Sequence, residues 1–100
     1  MKKLFISQPM RDKTNEEIET ARKNAVKYVE ETLGEKVEVL DSFFKDAPHD
    51  AAPLWFLGKS LEILSTADCA VFLDNWLDYR GCRIEYRCCT EYRIPILKEN

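Results

Sequence analysis

The chain is poor in the residues that break structure. Of its 100 residues only 3 are glycine, 4 proline and 1 histidine. That scarcity, with hydrophobic residues at 45%, excludes a collagen-like, low-complexity or disordered chain. Basic charge is not in excess either. The 15 Lys+Arg stand against 18 Asp+Glu, a net charge of −3 with His49 neutral. A broad basic face for duplex nucleic acid is therefore not expected. No apolar run approaches the ~20 residues of a membrane span. The start, Met1-Lys2-Lys3-Leu4-Phe5-Ile6, lacks the long apolar stretch and small-residue cleavage site of a signal peptide. A cytoplasmic protein is expected, folded as one domain over residues 1–100.

The cysteines fit a reducing compartment. Cys69, Cys82, Cys88 and Cys89 show neither a CxxC pair nor the two-plus-two spacing of a zinc knuckle. Adjacent Cys88 and Cys89 would make a strained disulfide with each other. They read as small buried hydrophobes, with no metal and no cofactor implied.

What is present is an alternation of strand and helix. Leu4-Phe5-Ile6 is a buried strand stopped by Ser7-Gln8-Pro9. Thr14 with Glu17 matches a capping box and opens a long helix. Its apolar stripe runs through Ile18, Ala21, Ala25, Tyr28 or Val29, and Leu33, and Gly34 marks its stop. Lys36 to Asp41 reads as the second strand. Pro53 suits the first turn of a second helix, with Leu54, Leu57, Leu61 and Leu64 facing inward. Cys69 to Leu73 is continuously apolar, as a strand covered on both faces should be. A third helix is expected from about Gly81 to Tyr92. Ile94 to Leu97 is the last strand, with Pro95 arguing for an edge. The sum is α/β: a Rossmann-like (flavodoxin-like) three-layer domain with a four-stranded parallel sheet, order 2-1-3-4, and three helices. In such a sheet ligands bind beyond the carboxyl ends of the strands. Loops 7–13, 41–52 and 74–81 therefore compete for function. Neither GxGxxG nor GxxxxGK[ST] occurs.

Glu85 is the first candidate for chemistry. Its helix places Gly81, Cys82, Glu85, Cys88, Cys89 and Tyr92 on one face. A carboxylate among small and apolar residues needs a partner, a raised pKa or a cavity open to ligand. An ionised, partly desolvated carboxylate suits a nucleophile or a base. The alternative is a surface ion pair with Arg83, Arg87 or Lys59. Asp74 follows the buried strand, and Asp41 and Ser42 follow the second strand, where polar groups meet ligand or simply cap turns. Ser7, Gln8, Pro9, Met10 and Arg11 join the first strand to the first helix, where amides and an arginine could hold an anion. Phe43, Phe44, Trp55, Phe56, Trp76 and Tyr79 crowd the other loops, suited to stacking on a flat ring or to self-association.

Several segments in order resemble the nucleoside 2-deoxyribosyltransferase superfamily, and within it a group of small bacterial and phage domains. They are Leu4-Phe5-Ile6-Ser7-Gln8-Pro9-Met10, then Asp41-Ser42-Phe43-Phe44, then Leu57-Gly58-Lys59-Ser60-Leu61-Glu62-Ile63-Leu64 running into Ala67-Asp68, and lastly Trp76 with Arg80-Gly81-Cys82-Arg83-Ile84-Glu85. The resemblance implies a nucleoside or nucleotide as the small-molecule partner. It gives Glu85 the role of a nucleophile attacking C1′ of the sugar, in the manner of a retaining glycosidase. It makes Gly81 the point of close approach for sugar or phosphate. It also implies a homo-oligomer. Two positions depart from the superfamily pattern. Ser60 stands where an aspartate is usual, and a serine cannot protonate a leaving base as an acid can. Arg83 stands where a second glycine is usual, narrowing the sugar pocket or binding a phosphate. Three functions stay open: N-glycosidic cleavage or deoxyribosyl transfer, non-catalytic nucleotide binding, and an oligomeric interaction module.

Overall fold

A computed structural model describes residues 1–99. Its elements alternate as β1 (Lys2–Ser7), α1 (Asn15–Leu33), β2 (Val37–Val39), α2 (Pro53–Leu64), β3 (Cys69–Phe72), α3 (Arg80–Glu91) and β4 (Ile96–Glu99), with a short 3₁₀ turn at Trp76–Asp78. All four strands are parallel, in the order β2-β1-β3-β4. The fold is the expected Rossmann-like one.

Local chemistry sets the helix ends. The Thr14 hydroxyl accepts from the Glu17 amide at 3.1 Å, and the Glu17 carboxylate accepts from the Thr14 amide at 2.9 Å. Such a cap stabilises α1 by about 1 kcal/mol. Gly34 closes α1 at φ 72°, donating to the Glu30 carbonyl at 2.8 Å. Pro53 opens α2.

The period of two in the strands divides the core. Leu4, Ile6, Cys69 and Val71 pack with Ala25 and Val29 of α1 on one face. Phe5, Ala70 and Phe72 pack with Leu64 of α2 and with Cys82 and Cys89 of α3 on the other. Ser7 follows Phe5 on the α2/α3 face. Truncating Phe5 or Phe72 to alanine should cost about 3–5 kcal/mol.

Several boundaries and faces differ from expectation. The second strand is three residues, Val37–Val39, because its far end bends away to bring Ser42 back onto β1. The last strand begins at Ile96, since Pro95 has no amide to donate. Its carbonyl still accepts from Ala70. A bulge leaves Leu97 unpaired between Ile96 and Lys98. Leu54 is 77% exposed and Tyr92 80% exposed, so neither joins the inward stripe assigned to it. Both lie at helix ends, beyond the reach of the sheet. No helix among the described residues is long and apolar enough to cross a membrane.

Candidate functional site

Glu85 is the sixth residue of α3 and only 7% exposed. It shares the inward stripe with Cys82 and Cys89, both buried. The Ser7 hydroxyl, from the last position of β1, donates to Glu85 Oε1 at 2.6 Å. That is the length of a hydroxyl bonded to a charged carboxylate. The side chain of Ser60, in α2, lies close enough to the same carboxylate to lower its pKa. Burial raises the Glu85 pKa above the ordinary carboxylate value, and the two serine hydroxyls pull it partly back. The cations suited to neutralising Glu85 are engaged elsewhere: Arg83 donates to the Leu77 carbonyl at 2.7 Å, Arg87 pairs with Glu91 and Lys59 with Glu62. The flanking thiols are not nucleophiles at neutral pH. Burial pushes Cys82 up to about 11 and Cys89 up to about 12, with the Glu85 charge adding to both.

A second polar cluster lies across the sheet and centres on Arg22. This α1 arginine donates from Nη1 to Gln8 Oε1 at 2.9 Å and to Ser42 Oγ at 3.3 Å, and from Nη2 to the Leu40 carbonyl at 3.0 Å. Gln8 in turn donates to the Ile18 carbonyl, and Ser42 to the Ile6 carbonyl, each at 3.3 Å. Desolvation lowers the Arg22 pKa, and Asp41 opposes that shift. Sequence reasoning missed Arg22. The signal was there: Arg22, half-buried, falls at 4-3-4 spacing with Ile18, Ala25 and Val29, the buried residues of α1.

The remaining expected site residues are placed as follows. Ser7, Gln8 and Ser42 are buried at the carboxyl ends of β1 and β2, and Asp41 is exposed beside them. Pro9 is buried, and the Met10 carbonyl accepts from Lys13 at 3.2 Å in a tight turn that leaves Arg11 exposed. Trp76 is 5% exposed and packed within the core, its ring stacked on Tyr86 at 4.5 Å and tilted against Phe72 at 5.2 Å. Its Nε1 is buried without an acceptor. Gly81 borders open space, with no heavy atom within 4 Å of where a Cβ would stand. Phe44, Trp55 and Phe56 pack edge-to-face on one another. Asp74 is exposed just beyond β3, on the rim of a cleft of about 440 Å³ that runs between α1 and the β3–β4 half of the sheet.

The geometry thus joins Ser7, Ser60 and Glu85 on one face of the sheet, and Gln8, Arg22, Leu40 and Ser42 on the other. Because Ser7 and Gln8 are consecutive, the end of β1 belongs to both. Among the described residues all four cysteines are free thiols, and no group of three or more His, Cys, Asp or Glu sits where it could hold a metal ion. Comparison with family models, curated proteins and solved structures gives no match.

Proposed function

We propose that this chain processes a nucleoside or nucleotide, breaking its N-glycosidic bond with Glu85 as nucleophile. The observation that carries the reading is the Glu85 carboxylate: buried on an apolar helix face, beyond the end of the central strand, and held by the Ser7 hydroxyl rather than by a cation. The resemblance to nucleoside 2-deoxyribosyltransferases supports it. A carboxylate short of hydration is more reactive toward an electron-poor carbon than one in water. Its oxygen bonds to C1′ while the C1′–N bond breaks, and the electron pair leaves with the base, which takes a proton from solvent. Water, or a second base, then attacks C1′ and returns the carboxylate. Ser7 holds Glu85 Oε1 in place. In this reading the domain works in the reducing cytoplasm, where free thiols persist, and as a homo-oligomer joined through exposed Leu54 and Phe56.

The test is base release from deoxynucleosides and their 5′-monophosphates, followed by chromatography. Wild type should release base, and Glu85→Ala should lose at least about a thousandfold in rate. Activity needs the ionised carboxylate, so its acid limb should lie above the ordinary carboxylate range. Absence of turnover by wild type across all substrates overturns the proposal.

One observation favours a second reading, a non-catalytic nucleotide-binding domain. The side chain beside Glu85 from α2 is Ser60, which cannot act as the acid for a leaving base. A thermal-shift screen with nucleoside monophosphates would then raise Tm while the ligand is recovered unchanged. A screen without any shift removes this reading.

A further inference from the structure

We propose that the cleft between α1 and the β3–β4 half of the sheet is a second binding site, for a neutral planar heterocycle with adjacent hydrogen-bond donor and acceptor, of which a nucleobase is the simplest case. The cleft arises from the topology. Helix α1 packs over β1, β2 and β3, while α2 and α3 both lie on the opposite face. On the α1 side β4 meets the helix through Leu97, packed against the core there, and through Lys98, over the Tyr28 ring. A groove remains there, about 440 Å³ in volume. Small-molecule sites span about 300–1,000 Å³.

Its lining fits a flat, uncharged guest. The floor is apolar and low: Ala21 and Ala25 of α1 face Val71 and Leu73. A larger residue at either alanine would fill it. At the far end the Tyr28 ring forms a wall, and Lys98 Nζ lies 4.5 Å from its centroid, tying β4 to α1. Asn24, one helical turn before Tyr28, and Asn75, just beyond β3, also line the groove with carboxamides that make no hydrogen bond among the described residues. Each offers one donor edge and one acceptor, the pattern that pairs with the edge of a nucleobase. Asn75 is held in place by its backbone, at φ 69° with its carbonyl accepting from Asp78 at 3.0 Å. The charges on the rim balance, Lys13 and Lys98 against Glu17 and Asp74, which disfavours a phosphate.

Position adds to chemistry. From β1 the sheet grows one way to β2 and the other way to β3 and β4. The crevice beyond the ends of β1 and β3 is the switch point, where open α/β sheets receive ligands. Gln8 and Asn75, which follow β1 and β3, line the groove at that point. It lies on the opposite face from Ser7 and Glu85, so occupancy does not depend on the carboxylate.

The experiment is a titration of the full chain, ¹⁵N-labelled, with adenine and then uracil, read by amide chemical shifts. Saturable shifts should cluster at Asn24, Tyr28 and Asn75. Asn75→Gly keeps the backbone conformation and removes the carboxamide, and should weaken binding at least about fivefold. Ala21→Phe fills the groove and should abolish binding. Glu85→Gln should leave it unchanged, which separates this site from the proposed reaction. If Ala21→Phe does not fold, Asn75→Gly, on the surface, still decides. The proposal is overturned by the absence of saturable shifts with either base, by shifts centred on Ser7, Ser60 and Glu85 that vanish in Glu85→Gln, or by binding that survives Ala21→Phe. A dimer seen by light scattering that Ala21→Phe dissociates overturns it too, because a second copy then covers the groove.

Discussion

The two faces of the sheet each hold one ionisable group on an inward helix stripe, and they treat it differently. On the α1 face, Arg22 spends three hydrogen bonds on Gln8, Ser42 and the Leu40 carbonyl. Those partners come from two segments, so the arginine ties the loops after β1 and β2 to the helix. On the α2/α3 face, Glu85 accepts one hydrogen bond, from Ser7, with the Ser60 hydroxyl nearby. It ties nothing that a neutral side chain could not. A buried charge with several partners strengthens a fold, whereas one with few partners costs stability and is kept for another reason.

The contrast is sharp enough to break. Arg22→Ala leaves three acceptors unpaired and should cost about 3 kcal/mol, read by urea denaturation. Arg22→Lys should recover only part, since an ammonium cannot reach all three. Glu85→Gln should move the other way. The folded chain binds the Glu85 proton more tightly than the unfolded chain, because its folded pKa is raised. The carboxyl's contribution to stability is therefore greatest below the ordinary carboxylate value and declines as pH rises toward the folded one. Glu85→Gln should match wild type near pH 4 and exceed it near pH 7 (both chosen to bracket the ordinary value of about 4.3). A variant that is less stable than wild type at neutral pH would show that the carboxylate is structural after all. The smallest effect belongs to Gly81→Ala. Its Cβ meets open space inside a helix, so stability should rise by about 0.5–1 kcal/mol. If a sugar approaches α3 there, base release should fall while stability rises.

Much of this was legible from residue order. The capping box at Thr14 and Glu17, the stop at Gly34 and the apolar run from Cys69 all stand where local chemistry predicts. So does the strangeness of Glu85, a carboxylate at a position whose helical neighbours are buried. Arg22 was equally strange, yet the tolerant spacing of a helical stripe let Ala21 stand in its place. Leu54 and Tyr92 went the other way. Periodicity assigns a face to a residue but does not say how far the sheet extends beneath the end of a helix.

Alternating apolar strands and amphipathic helices, each an outcome of near-neighbour sterics and spacing, were enough to settle a parallel α/β sheet, and the structure shows its order as 2-1-3-4. Residue order alone could not settle that Ser7 and Ser60, distant in the chain, would meet Glu85. Nor could it settle that Arg22 would bind two loops at once, or that a groove would remain between α1 and the β3–β4 half of the sheet. Those depend on which face each strand residue takes and which helix lies over it, and such pairings exist only once the layers have packed.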